Sequence, residues 1–251
     1  MKILICIKQV PDTTEVKLSS NFTLQRDFVA QVMNPADESA LEKGLALRDE
    51  QGGKATVLSM GRPEAERMLR EALSRGADEA ALLTDPTFSG SDTLATARSI
   101  HAAVQALGGF DLILCGRRAV DGETGQVGPM LASFMNIACV TNVTDLRMAD
   151  GCATLEQLTE HGVIQWRGAL PVVATFCEWS HVLRLPSLSG LRRAGNASIR
   201  RFTAADLGLS VEKCGLHGSP TRVIRVSARP AGVRSCKKLT VDELLEQEVL
   251  P

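Results

Sequence analysis

The chain has 251 residues, 44% of them hydrophobic, 23% charged and 4% aromatic, with a formal net charge of −1. That composition excludes disordered and collagen-like chains; at roughly 150 residues per domain it fits one large domain or one domain with a long extension. The near-zero charge is a sum of unlike parts: residues 1–183 hold 16 Lys/Arg against 23 Asp/Glu, residues 184–238 hold 12 against 2, and residues 239–251 carry four acids and no base. Asymmetry of this kind marks a segment whose partner is something other than its own core.

In chain order, Lys2–Lys8 reads as a buried strand, Val16–Gln25 as a small hairpin, and Pro35–Glu50 as a helix with Leu41 and Leu45 on one face. Strand Ala55–Met60, helix Pro63–Ser74, strand Ala80–Thr84, helix Asp92–Leu107, strand Phe110–Cys115 and a helix from Gln126 to Met135 follow. This βαβαβα rhythm predicts an α/β fold: a doubly wound, mostly parallel, Rossmann-like sheet with helices on both faces and a ligand crevice at the carboxyl ends of its strands. After Ala138 the pattern becomes β-rich (Cys139–Leu146, Ala153–Leu158, Val163–Arg167, Val172–Phe176), which reads as a meander extending the same domain. From His181 periodicity fades until a short terminal helix at Val241–Gln247. A weakly periodic stretch of some sixty residues is too long for a loop inside a compact domain. The expected division is therefore an α/β domain over 1–183 and a basic arm over 184–251, either disordered or ordered on another protein's surface.

The seven cysteines stand singly, with no C-x-x-C pair and no Cys/His cluster of zinc spacing, which points to reduced thiols in a cytoplasmic protein. The apolar run after Lys2 is five residues long, too short for a signal-peptide core. Residues 124–144 carry no charge, but Gln126, Pro129, Asn136 and Asn142 argue against a membrane span. The four histidines lie far apart, without the spacing of a metal site or triad.

Asn34-Pro35-Ala36-Asp37 is a well-made helix start, with Asn34 as cap, Pro35 first and Asp37 third. In a doubly wound fold such a start also lies at the ligand edge, so Asn34 reads either as a cap or as a contact to a base or ribose. The run from Gly116 to Pro129 leaves a strand and enters a helix, and its small residues let backbone amides approach an anion. Thr124 and Gln126 are candidate phosphate donors; Asp121 and Glu123 would repel a phosphate and are expected to face hydroxyls or backbone amides. The run is neither G-x-G-x-x-G nor a P-loop, so composition alone favours a plain turn. Ser89-Gly90-Ser91-Asp92-Thr93 reads as a helix cap at Ser91 or Asp92. Arg192-Arg193 and Arg200-Arg201 have no tyrosine or tryptophan near them to stack on bases, which favours a protein-facing surface over nucleic acid.

Taken together, Lys8-Gln9-Val10-Pro11-Asp12-Thr13, Met33-Asn34-Pro35-Ala36-Asp37, Ser74-Arg75-Gly76-Ala77-Asp78, Cys115-Gly116-Arg117, Val120 through Pro129 and Leu170-Pro171-Val172-Val173 resemble the β subunit of electron-transfer flavoproteins, in family order and spacing. The resemblance implies a heterodimer with an α subunit that holds FAD, a carboxyl-terminal arm wrapped around that subunit, and an adenine nucleotide in this chain. In one branch of the family that nucleotide is a structural AMP; in the electron-bifurcating branch it is a second FAD that takes hydride from NADH. The loop here is closer to the bifurcating pattern Asp-Gly-Asp-Thr-Ala-Gln-Val-Gly-Pro, with Glu123 in place of Asp, Gly125 in place of Ala, and Met130 where Glu is usual. The resemblance therefore favours FAD over AMP.

Carried over position by position, the cofactor site comprises Cys6, Lys8, Asn34, Pro35, Ala36, Asp37, Met60, Gly116, Arg117, Val120, Asp121, Gly122, Glu123, Thr124, Gly125, Gln126, Val127 and Gly128. Leu185, Pro186, Arg192 and Arg193 fall in the segment that docks dehydrogenases of the acyl-CoA type, and ferredoxin or flavodoxin would serve as acceptor in bifurcation. No side chain is required as acid, base or nucleophile. The rival class is a homodimeric nucleotide-sensing module, which leaves the arm without a purpose; an α/β hydrolase or ligase lacks a nucleophile motif.

Overall fold

The computed structural model describes residues 1–12, 30–222, 224 and 238–240. The expected hairpin at Val16–Gln25 and helix at Val241–Gln247 lie outside the described residues. The first strand, β1 (Lys2–Cys6), is followed by a short antiparallel ribbon of β2 (Gln9–Pro11) and β3 (Gln31–Met33), which delivers the chain to helix α1 (Pro35–Gln51). There follow β4 (Lys54–Met60), α2 (Glu66–Arg75), β5 (Glu79–Leu83), α3 (Thr93–Ala106), β6 (Leu112–Gly116) and α4 (Val127–Met135). The remainder is β7 (Ala138–Ala149), β8 (Cys152–Thr159), β9 (Gly162–Ala169), β10 (Val172–Phe176), α5 (Leu188–Asn196) and β11 (Arg200–Phe202).

One nine-stranded sheet has the order β11-β5-β4-β1-β6-β10-β7-β8-β9. Strands from β11 to β7 pair in parallel, and β7, β8 and β9 are antiparallel neighbours. Central parallel strands are covered on both faces, which is why they read as continuous apolar runs. Alternate residues of β1 show the two layers: Ile3 and Ile5 pack with Leu41, Leu45 and Leu69 from α1 and α2, whereas Leu4 packs with Ile100, Val104 and Leu131 from α3 and α4. Successive strands are added on one side of β1 through β4 and β5 and then on its other side from β6, so the strand order reverses between β1 and β6, the switch point where a doubly wound sheet opens a crevice. Asp92 caps α3, its carboxylate accepting from the Ala95 amide at 3.0 Å, as one of the two expected caps.

Two placements differ from the sequence reading. Val172–Phe176, expected as the last strand of a meander, is inserted between β6 and β7 and runs parallel to both. All five of its residues are buried, so both its faces need cover, which an edge position does not provide. β9 occupies that edge and is exposed along its whole length.

The second difference follows His181, where the chain folds back onto its own domain. Helix α5 packs on α2, and β11 extends the sheet beside β5. Gly190 sits so near α2 that a Cβ there would lie 2.1 Å from the Ser74 carbonyl oxygen. Arg70 donates to the carbonyls of Ala194 at 2.7 Å and Ala197 at 3.2 Å, satisfying acceptors that a helix end leaves open. Arg184 forks onto Glu42 and reaches Asp49 at 2.7 Å, and Arg201 pairs with Glu66. Part of the arm's positive charge is thus balanced by acids of residues 1–183. Periodicity missed α5 because the helix buries only Gly190 and Ala194 while Leu188 and Leu191 face outward.

Candidate functional site

The β2–β3 ribbon sets Asn34 against the end of β1, where the Asn34 amide donates to the Lys8 carbonyl at 3.0 Å. Three residues later Asp37 is buried beneath the switch point. One carboxylate oxygen accepts from the Lys8 amide at 2.7 Å and the other from the Gly116 amide at 2.9 Å, so a single side chain ties together the ends of β1 and β6. Burial pushes the Asp37 carboxyl up to about 7, against the opposing pull of its hydrogen bonds from Lys8, Asn34 and Gly116. Gly116 permits this approach: a Cβ there would lie 2.3 Å from Asp37 Oδ1 and 2.7 Å from Ala36 Cβ.

Asn34 does not cap α1 with its side chain. Its Nδ2 donates to the Arg118 carbonyl at 2.9 Å and its Oδ1 accepts from the Val120 amide at 3.1 Å, so the side chain is spent on the glycine-rich loop. The reason is the parallel pairing of β1 and β6, which brings that loop over the start of α1. The acids of the loop also depart from expectation. Asp121 pairs with Lys8 Nζ at 2.6 and 2.8 Å, and Glu123 stands 3.8 Å from Arg118, because cations of the same edge reach them first.

Beyond Asp121 the loop turns through Glu123 at φ 50° and Gly125 at φ 63°, left-handed values that are costly for Glu and free for Gly. It enters α4 at Val127 with no side chain capping the first turn. Gly128 lets α4 press on the sheet, since a Cβ there would come within 2.4 Å of Thr175 Cγ2. Between loop and sheet lies a cleft of about 260 Å³, walled by Arg117, Arg118, Thr124, Gly125, Gln126 and Pro129 and floored by Thr141, Asn142 and Thr175. The floor is a bulge: the register of β7 on β10 shifts between Ala174 and Phe176, and Asn142 takes φ 54°. The Asn142 amide donates to Thr175 Oγ1 at 3.3 Å.

The structure therefore brings together Lys8, Asn34, Asp37, Gly116, Val120 and Asp121 as the frame of the loop, and Arg117, Thr124, Gly125 and Gln126 as one wall of the cleft. Pro35 and Ala36 form the first turn of α1, Gly122 and Glu123 the turn of the loop, and Val127 and Gly128 the start of α4. Cys6 is the register partner of Cys115, and burial pushes its thiol up to about 12, so it is a packed thiol and no nucleophile. Met60, like Cys6, packs against the apolar layer. Leu185, Pro186, Arg192 and Arg193 lie elsewhere, around α5 on the α2 face. Leu185 is 86% exposed, whereas Arg193 donates to the Leu73 carbonyl at 3.3 Å.

Sequence reasoning missed Thr141, Asn142, Thr175 and Glu178. An Asn inside a β-rich run was the available signal for the bulge; nothing local points to Glu178. Its carboxylate lies 2.6 Å from Arg117 Nε and accepts from Arg117 Nη2 at 3.1 Å and Arg118 Nε at 3.2 Å. Burial alone would push the Glu178 carboxyl up, but bonds and charge from the two guanidinium groups hold it below the ordinary Glu range. Among the described residues no helix is long and apolar enough to cross a membrane.

Known proteins match the chain along most of its length. Residues 21–207 match the family model described as the electron transfer flavoprotein domain. The chain is 42% identical over 229 residues to electron transfer flavoprotein subunit beta of Thermoanaerobacterium thermosaccharolyticum, covering 90% of this chain and 88% of that one. It is 41% identical over 233 residues to subunit CarD of the caffeyl-CoA reductase-Etf complex of Acetobacterium woodii, covering 92% and 89%. Protein FixA of Sinorhizobium fredii is 38% identical over 258 residues, covering 99% and 90%. With the family model spanning most of the chain and relatives of this identity along nearly its full length, the chain belongs to the electron transfer flavoprotein family, as a protein of the beta-subunit type.

Proposed function

We propose that this chain is the nucleotide-holding subunit of a heterodimeric electron transfer flavoprotein in the cytoplasm, binding FAD beside α4 and passing electrons to an FAD of the α subunit. The observation that carries the reading is the backbone of the loop. Left-handed residues at 123 and 125 lead into a helix start that no side chain caps, at the carboxyl ends of the central strands. Such a start attracts phosphate through its free amides and its dipole. The polar lining of Thr124, Gln126, Thr141, Asn142 and Thr175 suits hydroxyl and amide groups of a nucleotide. When bound, a flavin supplies the one- and two-electron chemistry, and the residues of this chain hold and orient it. Gly116 and Gly128 support the fit by removing the Cβ atoms that would separate loop and helix from the sheet.

Exposed Leu185, Leu188 and Leu191, with Arg192 beside them, suit docking onto a dehydrogenase of the acyl-CoA type. The loop pattern from Val120 to Pro129 supports a bifurcating role, with NADH as donor and ferredoxin or flavodoxin as low-potential acceptor. Co-expression with the α subunit, followed by extraction and chromatographic counting of nucleotides, tests the cofactor. Two FAD per heterodimer are expected; one FAD and one AMP would overturn the second-flavin reading. Bifurcation predicts that NADH bleaches the flavin absorbance of the complex, and an intact second flavin that stays oxidised would refute it.

A further inference from the structure

We infer that Glu178 is a positioning residue which sets the phosphate preference of the cleft by holding the guanidinium groups of Arg117 and Arg118 in its wall; this rests on the nucleotide reading above. Glu178 lies two residues past the end of β10, and the Arg117 amide donates to the Phe176 carbonyl at 2.8 Å, which carries the β6–β10 ladder to the mouth of the cleft. The Glu178 side chain is 10% exposed, against 33% for Arg117 and 40% for Arg118. Two partly open cations thus share one covered anion. Nη2 of Arg117 and Nε of Arg118 donate hydrogen bonds to Glu178, and Nε of Arg117 lies 2.6 Å from its carboxylate as an ion-pair contact. Among the described residues, Nη1 of Arg117 and Nη2 of Arg118 have no hydrogen-bond partner, and Nη1 of Arg118 has Glu123 at 3.8 Å. An Arg held along one edge loses little further rotamer freedom when its other nitrogens meet a phosphate, and a guanidinium fork suits phosphate oxygens. Glu178 thereby orders both groups before a ligand arrives, at the expense of one unit of positive charge.

Charge and order pull in opposite directions, so the test separates them. AMP and adenosine differ by the phosphate alone, and their affinities for the nucleotide-stripped heterodimer can be measured by calorimetry. In Glu178→Gln, AMP should bind about tenfold more weakly while adenosine is unchanged, the loss being that of one charge-assisted contact. Glu178→Asp should restore part of the AMP affinity. Unchanged or tighter AMP binding in Glu178→Gln would show that the carboxylate merely competes with phosphate, and equal losses for AMP and adenosine would show a structural role; either overturns the inference. Should Glu178→Gln fold poorly, Arg118→Gln, at a more exposed site, must reduce the AMP-to-adenosine ratio by a similar factor. A wild-type heterodimer that binds neither ligand would instead sink the nucleotide reading itself.

Discussion

Gly116→Ala tests whether the junction of β6, α1 and Asp37 is as tight as the backbone indicates. The new Cβ would lie 2.3 Å from Asp37 Oδ1, 2.7 Å from Ala36 Cβ and 2.9 Å from the Ala36 carbonyl carbon. All three atoms belong to residues of the first turn of α1, which Asn34 and the β2–β3 ribbon hold in place, and the two Ala36 atoms are fixed to its backbone, so the methyl cannot be absorbed by rotating a free side chain. Either β6 withdraws from α1 or the carboxylate leaves the Gly116 amide. Overpacking of this kind costs about 1–3 kcal/mol. Leaving a buried amide unpaired costs about another 1–3 kcal/mol. The expected loss is therefore about 2–5 kcal/mol, a large part of the usual 5–15 kcal/mol of a folded chain. Urea unfolding followed by circular dichroism measures it, and at about 2–4 °C per kcal/mol the melting temperature should fall by roughly 4–20 °C. Gly195→Ala is the control, since a Cβ on that helical glycine meets nothing within 4 Å. It should be neutral or stabilising by up to about 1 kcal/mol. If Gly116→Ala matches Gly195→Ala within 0.5 kcal/mol at unchanged m-value, roughly the noise of a surface substitution, the close approach does not constrain the fold and the reasoning fails.

Asn34→Ala should cost about 1–3 kcal/mol by unpairing two loop contacts, and hydrogen exchange at the Val120 amide should accelerate more than at the amides of β6; uniform acceleration would assign Asn34 to global stability instead. For Asp145, burial opposes ionisation, but bonds and charge from Lys43, the Leu146 amide and Arg147 hold its carboxyl down at about 2, against 3.8 for the free group. A carboxyl lowered in the folded state contributes stability above pH 3.8 that is lost as pH falls toward 2, so Lys43→Met should flatten the acid limb of the stability curve by about 1 kcal/mol after solvent screening. An unchanged acid limb would count against the pair. Gly190→Ala drives a Cβ to 2.1 Å from the Ser74 carbonyl oxygen and should release α5, seen as faster proteolytic cleavage near residues 184–200 with the cooperative unfolding of the sheet retained; equal protease resistance would show that α5 does not depend on that contact.

Much of the sheet was legible because burial on both faces writes itself into short runs such as Ile3-Leu4-Ile5 and Leu112-Ile113-Leu114, and because helices between such runs require parallel crossovers. The loop from Gly116 to Pro129 was legible as chemistry, since small residues between a strand and a helix have few other uses. Less legible was what each polar side chain does. Asn34 looks like a cap in any local window, yet its amide group is spent on Arg118 and Val120, more than eighty residues away. Asp37 looks like a first-turn acid that suits the helix dipole, yet it joins two strand ends.

Sequence by itself thus determined the α/β alternation, the crevice at the strand ends, the positions of the glycine-rich loop and the helix start, and the family. Those features depend on interactions within some ten residues or on motifs that survive intact in linear order. Tertiary structure alone decided that Val172–Phe176 enters the centre of the sheet, that residues after His181 fold back on α2 and β5, and that Glu178 meets Arg117 and Arg118 across some sixty residues. Periodicity records which face of an element is covered. It carries no record of which distant element does the covering, and a carboxylate separated from its guanidinium partners by one helix and four strands leaves no trace of the pairing in either neighbourhood.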